Sequence, residues 1–592
     1  MTGIETKLAD RTRGTRHLTR GLIALELILC AFIVWDVSGY TPDDTYIYLN
    51  GARQLAGGQL PNMTPGEVPT NAWSSLLWVG LITPAYWLGF DALIWAKVLG
   101  FILLLGVVWQ VSRIIRLFYP KLDKPTVWAV AGLTLTYMPL VFWATSGMET
   151  ILYVFSLVLV FYLLFRDHAR RRMSVGLGLA LSLHLITRPD AFINVALVLA
   201  LLLILVLNPK RPHTWAGLLR PAVGLLPGVL LFLLPSLFYP TVLPTSALAK
   251  AGVIGPLFND QFWWNFRELV LNFSLTPGNI FILAGMLIFL FWRRKRGDLI
   301  CGWEMRVFVV LLVAMHLVKR VLVCDWMAVQ RLWLESAVIA LVICLLALIR
   351  LIEKKKYLLI SAIILCGSLA AGLLGWRMFI FAFFHHPGNP AEVMAQFVGE
   401  LKRDDSWMIT TDMGVVPYFA EINTIDAEAV PICNYHLLKV PNDLAYVWSH
   451  RIDFIVVTSP CLTTPRPETT QYRLVRDIMS QRYFRDNYRH VLSAVWASPF
   501  NHGHGALRSY PGRYYHLFVS RRIDCDLPSP PILLTRDIYH TRPIAAEVVL
   551  PVDLPPAYTE NGVVPAVPDE PLPGYLLPSF SETDRSGASS SP

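Results

Sequence analysis

Charged residues are scarce in this sequence and hydrophobic ones abundant, at 16% and 54% of its 592 residues. Soluble globular domains carry about 25% charged residues, which excludes a chain built only of such domains. The eight cysteines form no C-x-x-C pair, so neither a zinc site nor a redox motif is indicated. No Gly-rich phosphate loop follows a predicted strand, which argues against a nucleotide-binding domain.

The apolar residues are gathered instead into long runs that are typical of membrane spans. Each run has about 15 to 25 residues, near the length that a ~30 Å hydrocarbon core requires. They predict a polytopic α-helical membrane protein with eleven transmembrane helices, at 21–38, 92–113, 125–143, 149–166, 173–188, 190–208, 219–240, 276–293, 305–323, 329–350 and 357–378.

Short clusters of Lys and Arg between the runs predict the orientation, because such clusters are enriched on the cytoplasmic side. With residues 1–20 in the cytoplasm, eleven spans also place five later clusters there: Arg113–Lys124, Arg166–Arg172, Lys210–Arg211, Arg293–Arg296 and Lys354–Lys356. The net charge of +9 is therefore interpreted as a topology signal and not as a nucleic-acid surface. We expect a multi-pass protein of the plasma (inner) membrane.

The first outer loop, 39–91, is predicted to hold two helices outside the hydrocarbon core. Asp43–Leu55 precedes Gly57-Gly58, a C-cap signal. Trp73–Phe90 is apolar enough to span, but as a span it would put the cluster Arg113–Lys124 outside. We therefore predict that it lies at the outer interface, where Trp and Tyr side chains are favoured.

Beyond the transmembrane domain (21–378), short strand patterns alternate with helical ones. This predicts an extracytoplasmic α/β domain over 379–526. The tail, 527–592, is Pro-rich and expected to be partly disordered. The predicted strands are Trp407–Thr411, Asn423–Ala427, Asp453–Thr458, Val491–Ala497 and Tyr514–Ser520.

Asp43 and Asp44 are adjacent carboxylates at the start of the first outer-loop helix. A helix N-terminus stabilises negative charge, so at least one is expected to stay ionised and to act as a base or hold a metal. The alternative is structural, because Asp is a favoured N-cap residue. Which of the two is the base stays open, since neighbours that share a site titrate as a pair.

Further polar residues fall at the outer ends of spans. Glu149 lies in Ser146-Gly-Met-Glu149, which also matches a capping box. The outer cations are not explained by the positive-inside rule. They suit phosphate binding or, alternatively, pairing with carboxylates, as of Arg188 with Asp190. These cations are Arg188, Lys250, Arg320 and Arg331.

In this order the elements resemble the GT-C superfamily of integral membrane glycosyltransferases, and within it the branch with mycobacterial terminal arabinofuranosyltransferases. Pro42-Asp43-Asp44, followed by TYIYLNGARQLAGGQ, resembles the superfamily's modified D-x-D, and Glu149 in TSGMET is placed like its second acidic residue. Shorter elements are also similar: Asn71-Ala72-Trp73-Ser74, Arg188-Pro-Asp190, Pro244–Lys250, Asp325-Trp326-Met to Arg331, Asp412-Met-Gly414 and Ile425-Asp426.

The resemblance implies an inverting transfer of a sugar, with arabinofuranose as candidate, from a polyprenyl-phosphate donor to a cell-envelope glycan or lipid acceptor at the outer face. It implies Asp44 or Asp43 as catalytic base beside Glu149, and donor-phosphate binding by the four outer cations. Substrate positioning is implied for Tyr46, Asn71, Trp73, Asp325 and Trp326. A divalent cation (Mg, Mn or Ca) at Asp43 and Glu149 stays open.

Two other classes of function remain as alternatives. A membrane transporter would use its carboxylates for proton coupling, although transporter sites lie near the midplane and often within internal repeats, and no repeat is visible here. A non-catalytic envelope-assembly protein would bind polysaccharide through the outer domain.

Overall fold

The computed structural model describes residues 2–39, 41–64, 67–207, 215–252, 263, 266, 303–322, 334–352, 390–427, 433–459, 467, 472–497, 514–523, 532–536 and 547–549. These residues belong to two compact units. The membrane unit comprises Met1–Ile254, Arg267–His386 and Ile432–Tyr435, and the sheet unit comprises Gly255–Phe266, Pro387–Pro431 and His436–Pro592.

The regular secondary structure in the described part of the membrane unit is helical. Its helices are α1 (Thr2–Val37), α2 (Asp43–Ala56), α3 (Leu76–Ile82), α4 (Pro84–Trp87), α5 (Ala92–Phe118), α6 (Lys124–Gly132), α7 (Met138–Thr145), α8 (Thr150–Ala169), α9 (Val175–Thr187), α10 (Ala191–Leu207), α11 (Trp215–Leu233), α12 (Thr245–Gly252), α13 (Trp303–Leu322) and α14 (Leu334–Ile352). Most coincide with predicted spans. The predicted spans 276–293 and 357–378 lie outside the described residues, so the number eleven stays a prediction.

Three described helices are long and apolar enough to cross a membrane: Ala92–Phe118, Thr150–Ala169 and Gly217–Leu237. A fourth candidate span is broken. Lys124–Thr136 and Met138–Thr145 are together long and apolar enough to cross a membrane, but the two helices are bent by 71°. On α5 the exposed apolar side chains recur about every four residues, which is one face of a helix. Such a stripe in contact with lipid is expected of a membrane helix and comprises Ile94, Val98, Ile102, Leu105 and Trp109.

The outer-loop segment predicted to lie at the interface does not form one continuous helix. It folds as α3 and α4, which together cover Leu76–Trp87. Twelve residues at about 1.5 Å each reach roughly 18 Å, too little for a ~30 Å core. The length therefore fits a non-spanning segment.

The sheet unit is an α/β arrangement around one seven-stranded sheet of order β2-β1-β3-β5-β4-β6-β7. Strands β2, β1 and β3 run parallel, whereas β5 is antiparallel to both β3 and β4. The five predicted strands are confirmed with small shifts of their ends. The strands are β1 (Trp407–Thr410), β2 (Asn423–Asp426), β3 (Ile452–Ser459), β4 (Tyr488–Ala497), β5 (Tyr514–Ser520), β6 (Ile532–Arg536) and β7 (Glu547–Val549).

Short helices accompany the sheet and close its core. These are α15 (Pro390–Leu401), α16 (Val415–Ala420), α17 (Tyr435–Lys439), α18 (Leu444–Ser449), α19 (Arg473–Ser480) and α20 (Arg482–Asn487). Ile409 and Ile455 pair across β1 and β3 and pack in one buried cluster with Val475 and Ile478 of α19. The last two strands extend the sheet into the Pro-rich region, where the composition predicts an extended tail.

Candidate active site

The acidic pair occupies the first turn of α2, and the cap position belongs to another residue. Pro42 is the N-cap, and no side chain caps this helix by a hydrogen bond. Asp43 and Asp44 are half-buried. Capping therefore does not explain the pair, while the helix N-terminus still favours its negative charge.

Aromatic side chains from the following segment hold α2 in place. The Trp73 indole donates to the Ile47 carbonyl (2.8 Å), and the Tyr86 hydroxyl donates to the Leu49 carbonyl (3.0 Å). The Trp73 ring fits only because residue 51 is glycine, since a Cβ there would lie 2.6 Å from its Nε1. Trp73 thus acts on α2 itself, and any effect on a substrate would pass through that helix.

Trp73 and Trp78 are also buried inside the protein, at 1% and 0% exposure. The interfacial placement predicted for Trp73–Phe90 is therefore wrong for these two side chains, because both rings are enclosed by the protein. Their indole N–H groups donate to backbone carbonyls. Trp87, at 67% exposure, keeps the position that an interfacial Trp requires.

The TSGMET segment forms a tight turn against the start of α2. Gly147 adopts φ +83, a left-handed conformation that favours glycine, and its carbonyl accepts from the Trp78 indole at 2.8 Å. Thr45, next to Asp44, donates its hydroxyl to the Ser146 carbonyl at 3.1 Å. This contact brings the acidic turn of α2 beside the turn that carries Glu149.

Glu149 itself is the N-cap of α8 and makes no capping hydrogen bond with its side chain. The capping-box interpretation is therefore wrong. The carboxylate turns instead to Arg188, whose Nη1 donates to Glu149 Oε1 at 3.0 Å. Arg188 Nε and Nη2 donate to Asp190 at 3.0 and 3.4 Å, so the alternative of carboxylate pairing is realised for this cation.

The Arg188 guanidinium is 8% exposed, and Glu149 is fully buried. A guanidinium has five N–H donors, and these hydrogen bonds use one each on Nε, Nη1 and Nη2. One N–H remains on each terminal nitrogen, which is the spacing that suits a bidentate oxyanion. Two carboxylates share one cation, however, so this triad carries net negative charge.

A chain of hydroxyl groups connects the triad to α2. The Tyr48 hydroxyl lies 2.5 Å from Ser74 Oγ, and Ser74 Oγ donates to Glu149 Oε1 at 3.5 Å. Tyr48 is four residues after Asp44, so both project from one face of the helix. Asp44, more than Asp43, therefore faces the side on which Ser74 and Glu149 lie.

The loop before Ser74 is folded by the side chain of Asn62. Its Oδ1 accepts from the Thr64 and Thr70 backbone amides, and its Nδ2 donates to the Thr64 carbonyl at 2.7 Å. The hydroxyls of both threonines donate to the Cys433 carbonyl, at 3.0 and 2.9 Å. The Asn62 side chain thus stabilises the turn of this loop, and the Cys433 carbonyl holds both threonines in place.

Asn71 follows this loop and connects it to α12. Its carbonyl accepts from the Thr245 backbone amide (2.8 Å) and hydroxyl (3.1 Å). Its side-chain Oδ1 is buried and has no hydrogen-bond partner among the residues that the structure describes. A buried acceptor of this kind is costly unless a ligand or water supplies a donor.

The other predicted site residues are distributed as follows. Tyr46 is 5% exposed and packs with Leu49 and Ala52 on the buried face of α2. Lys250 lies in α12 and Arg320 in the last turn of α13. Asp325, Trp326 and Arg331 lie outside the described residues.

A metal site is not formed by the described part of the chain, where no three His, Cys, Asp or Glu side chains are grouped to hold an ion. Glu149, one of the two predicted ligands, directs its Oε1 to Arg188. A divalent cation at Asp43 and Glu149 stays a prediction.

Sequence reasoning assigned no individual role to three residues that complete this region: Tyr48, Ser74 and Tyr153. Tyr48 could have been found from its i+4 spacing to Asp44. Tyr153 stands four residues after Glu149, and its ring centroid lies 5.3 Å from the Arg188 guanidinium carbon.

Solved structures that are similar to this chain include ArnT, an oligosaccharyltransferase and an arabinofuranosyltransferase. ArnT from Cupriavidus metallidurans bound to undecaprenyl phosphate matches with a TM-score of 0.50 and 12% identity, over 74% of this chain and 92% of that one. The oligosaccharyltransferase AglB from Archaeoglobus fulgidus, in complex with an inhibitory peptide and a dolichol-phosphate, matches with a TM-score of 0.45 and 11% identity, over 75% of this chain and 70% of that one. Arabinofuranosyltransferase AftD from Mycobacteria matches with a TM-score of 0.46 and 15% identity, over 87% of this chain and 42% of that one.

No family model and no curated protein sequence matches the chain. The likeness to ArnT shows the fold. The chain is a polytopic membrane protein with the GT-C fold and a C-terminal sheet domain, as its motifs predicted.

Proposed function

We propose that this protein is a glycosyltransferase that moves a sugar from a polyprenyl-phosphate donor to a cell-envelope glycan or lipid acceptor, with arabinofuranose as the candidate sugar. The observation that carries the proposal is the chain of hydrogen bonds from Tyr48, one helical turn after Asp44, through Ser74 to Glu149 and Arg188. It leads from the helix that carries the proposed base to a cation with two further N–H donors.

The solved structure of the same fold adds support in general terms. ArnT is described with undecaprenyl phosphate. A lipid-linked phosphate of this kind suits a site at helix ends in a membrane protein. The basic clusters favour an extracytoplasmic orientation of this site, with the N-terminus in the cytoplasm.

In the proposed reaction the acceptor hydroxyl gives its proton to Asp44 as its oxygen attacks the anomeric carbon. The bond between that carbon and the phosphate oxygen breaks, and the lipid phosphate leaves with the electron pair. Attack opposite the leaving group inverts the anomeric centre. Asp44 is favoured over Asp43 because it shares a helix face with Tyr48.

The leaving phosphate needs charge neutralisation more than a proton. Arg188 cannot supply this alone, because Glu149 and Asp190 share its charge. We assign most of the phosphate binding to Lys250, Arg320 and Arg331, with the two remaining N–H groups of Arg188 completing it. The buried Asn71 Oδ1 is assigned to a substrate hydroxyl. The mechanism includes no metal-dependent step.

The alternative of a proton-coupled transporter is disfavoured by position. Asp44 lies in the first turn of α2, Glu149 at the N-cap of α8 and Arg188 at the C-cap of α9. All three are at helix ends, whereas transporter sites are built near the midplane of the bilayer.

The test is transfer from a radiolabelled polyprenyl-phosphoryl arabinofuranose, and in parallel hexose-carrying donors, to pentose- and hexose-terminated oligosaccharides. Asp44→Asn should lower the rate about 10²–10⁴-fold, as expected for loss of a general base. Asp43→Asn resolves which member of the pair is the base. Asp91→Asn is the matched control, since Asp91 is an exposed N-cap in the same outer loop. Near-wild-type activity of Asp44→Asn, at normal expression, would contradict the assignment.

A further inference from the structure

Tyr153 lies within a buried cluster of polar and aromatic side chains shared by α8, α9 and α10. Its ring stacks on the His184 imidazole with centroids 4.6 Å apart. Its hydroxyl accepts from Asn194 Nδ2 at 3.0 Å, and the same amide donates to His184 Nε2 at 2.9 Å. Tyr153, His184 and Asn194 are each exposed by 1% or less.

The hydrogen bonds of this cluster define a neutral imidazole. Because His184 Nε2 accepts from Asn194, the ring proton is on Nδ1 and is donated to Ser156 Oγ at 2.8 Å. Ser156 donates its own proton to the Tyr153 carbonyl at 2.9 Å. The Tyr153 hydroxyl and both His184 ring nitrogens are therefore hydrogen-bonded, which restricts the tilt of the Tyr153 ring.

Arg188 has no comparable support from its own helix. It is the C-cap of α9, with extended backbone angles of φ −158 and ψ 149. Helical geometry, which restricts side-chain rotamers, therefore does not set its direction. The side chain must be placed by the groups that it contacts.

Glu149 and Asp190 accept hydrogen bonds from the edges of the guanidinium. The guanidinium carbon lies over the Tyr153 ring, 5.3 Å from its centroid. Two hydrogen-bonded edges still allow the guanidinium to rotate about the line between the two carboxylates, and an aromatic ring beneath the cation restricts that motion.

We propose that Tyr153 is a positioning residue that holds the Arg188 plane so that its two remaining N–H groups meet the donor phosphate. The ring carries this role, and the hydroxyl serves only to anchor the ring to Asn194. The inference rests on the proposed function. It deepens that function by adding a residue that acts on donor binding without touching the donor.

The test compares three variants of the full-length protein in detergent or nanodiscs. Tyr153→Leu removes the ring, and Tyr153→Phe keeps it. Phe161→Leu is the matched control, because Phe161 lies two turns further along α8, is 2% exposed and packs on Phe165 and Phe308 instead. KM for the polyprenyl-phosphoryl sugar, KM for the acceptor and kcat are measured separately.

Tyr153→Leu should raise the donor KM about tenfold, the size of a desolvated cation–π contact, with the acceptor KM unchanged. Tyr153→Phe should restore the donor KM to within about threefold. Phe161→Leu should leave it unchanged. A purely structural role would instead lower kcat through the fraction of active molecules and leave KM alone.

Two negative results are distinguishable. If the wild-type protein transfers sugar and Tyr153→Leu has the wild-type donor KM, the positioning role is overturned while the proposed function stands. The positioning role is also overturned if Tyr153→Phe is as impaired as Tyr153→Leu. If the wild-type protein transfers from no lipid-phosphate donor, the proposed function fails, and this inference fails with it.

Discussion

Each unit of the protein contains a buried carboxylate paired with arginine, and the two pairs are built differently. In the sheet unit Asp453 is fully buried, accepts from Ser406 Oγ at 2.6 Å and pairs with Arg522. Arg522 has only this one carboxylate among the described residues and is 38% exposed at its side chain. In the membrane unit Arg188 is buried and shared by Glu149 and Asp190.

The difference separates a structural pair from a site. Arg522 also donates to the Ile452 carbonyl, so its bonds tie β3 to the end of β5, and water can reach the remaining donors. The Arg188 side chain is 9% exposed, so its remaining donors are largely shielded from water. Burial and pairing alone therefore do not identify an active site, and the proposed site rests on buried donors that remain for a ligand.

The strongest test of this distinction replaces each arginine with lysine. Lysine keeps the charge but loses the fork of donors. Arg188→Lys should lower transfer about 10²-fold, the scale of one lost oxyanion donor. Arg522→Lys should change transfer per folded molecule by less than about twofold and lower stability by roughly 1 kcal/mol or less, because the pair is partly exposed.

Activity per folded molecule and thermal unfolding are measured on both variants. Equal losses of activity would show that the two arginines have the same role, and the distinction would fail. A stability loss in Arg188→Lys that accounts for all of its lost activity would do the same.

A second test uses two glycines with left-handed backbones. Gly147 has φ +83, and a Cβ there would lie 2.7 Å from Thr45 Cγ2, whereas Gly58 has φ +75 with open space around it. Alanine costs about 1 kcal/mol of backbone strain at either position. Only Gly147→Ala should also push the TSGMET turn away from α2, lowering transfer by about tenfold, since displacements near 1 Å are costly in active sites.

Gly58→Ala introduces the same backbone strain without a steric clash, so it should leave kcat/KM unchanged. The comparison is made on purified proteins of matched thermal stability. If both variants lose activity equally, the contact between Thr45 and Gly147 does not set the geometry of the site.

The sequence predicts α2 and the five strands correctly because these depend on local patterns. Tyr46, Leu49 and Ala52 recur with helical spacing, and all three are buried. The interfacial role predicted for Trp73 and Trp78 is wrong for a reason that is not local. An indole suits a membrane interface and a buried carbonyl equally well, and only the fold decides which one it meets.

The pairing of Glu149 with Arg188 could not be predicted from the sequence either. The partners are 39 residues apart, and S-x-x-E is a common capping pattern. The pairing of Arg188 with Asp190 is local, and as a predicted alternative it is confirmed. Ser74 belongs to the Asn71-Ala72-Trp73-Ser74 element, but that element does not show that its hydroxyl lies between Tyr48 and Glu149.

The smallest predicted effect concerns His490, a half-buried residue of the sheet unit. His490 donates or accepts at Ser493 Oγ (3.0 Å) and packs on Phe518. Burial lowers the pKa of His490 to about 4 from its usual 6.5. Between these values the unfolded chain binds the proton and the folded chain does not, so stability falls as pH drops from about 6.5 towards 4.

Unfolding of the sheet unit should therefore be easier at pH 5 than at pH 7.5 by an amount on the order of 1–2 kcal/mol from this residue. His490→Gln keeps a hydrogen-bonding group near Ser493 and does not titrate. The free energy of unfolding of this variant should therefore change less between pH 7.5 and pH 5 than that of the wild type. Transfer per folded molecule should be the same for both proteins at each pH, because the contacts of His490 with Ser493 and Phe518 lie within the sheet and not at the proposed site. A variant whose melting temperature tracks the wild type at every pH would show that His490 does not carry the slope.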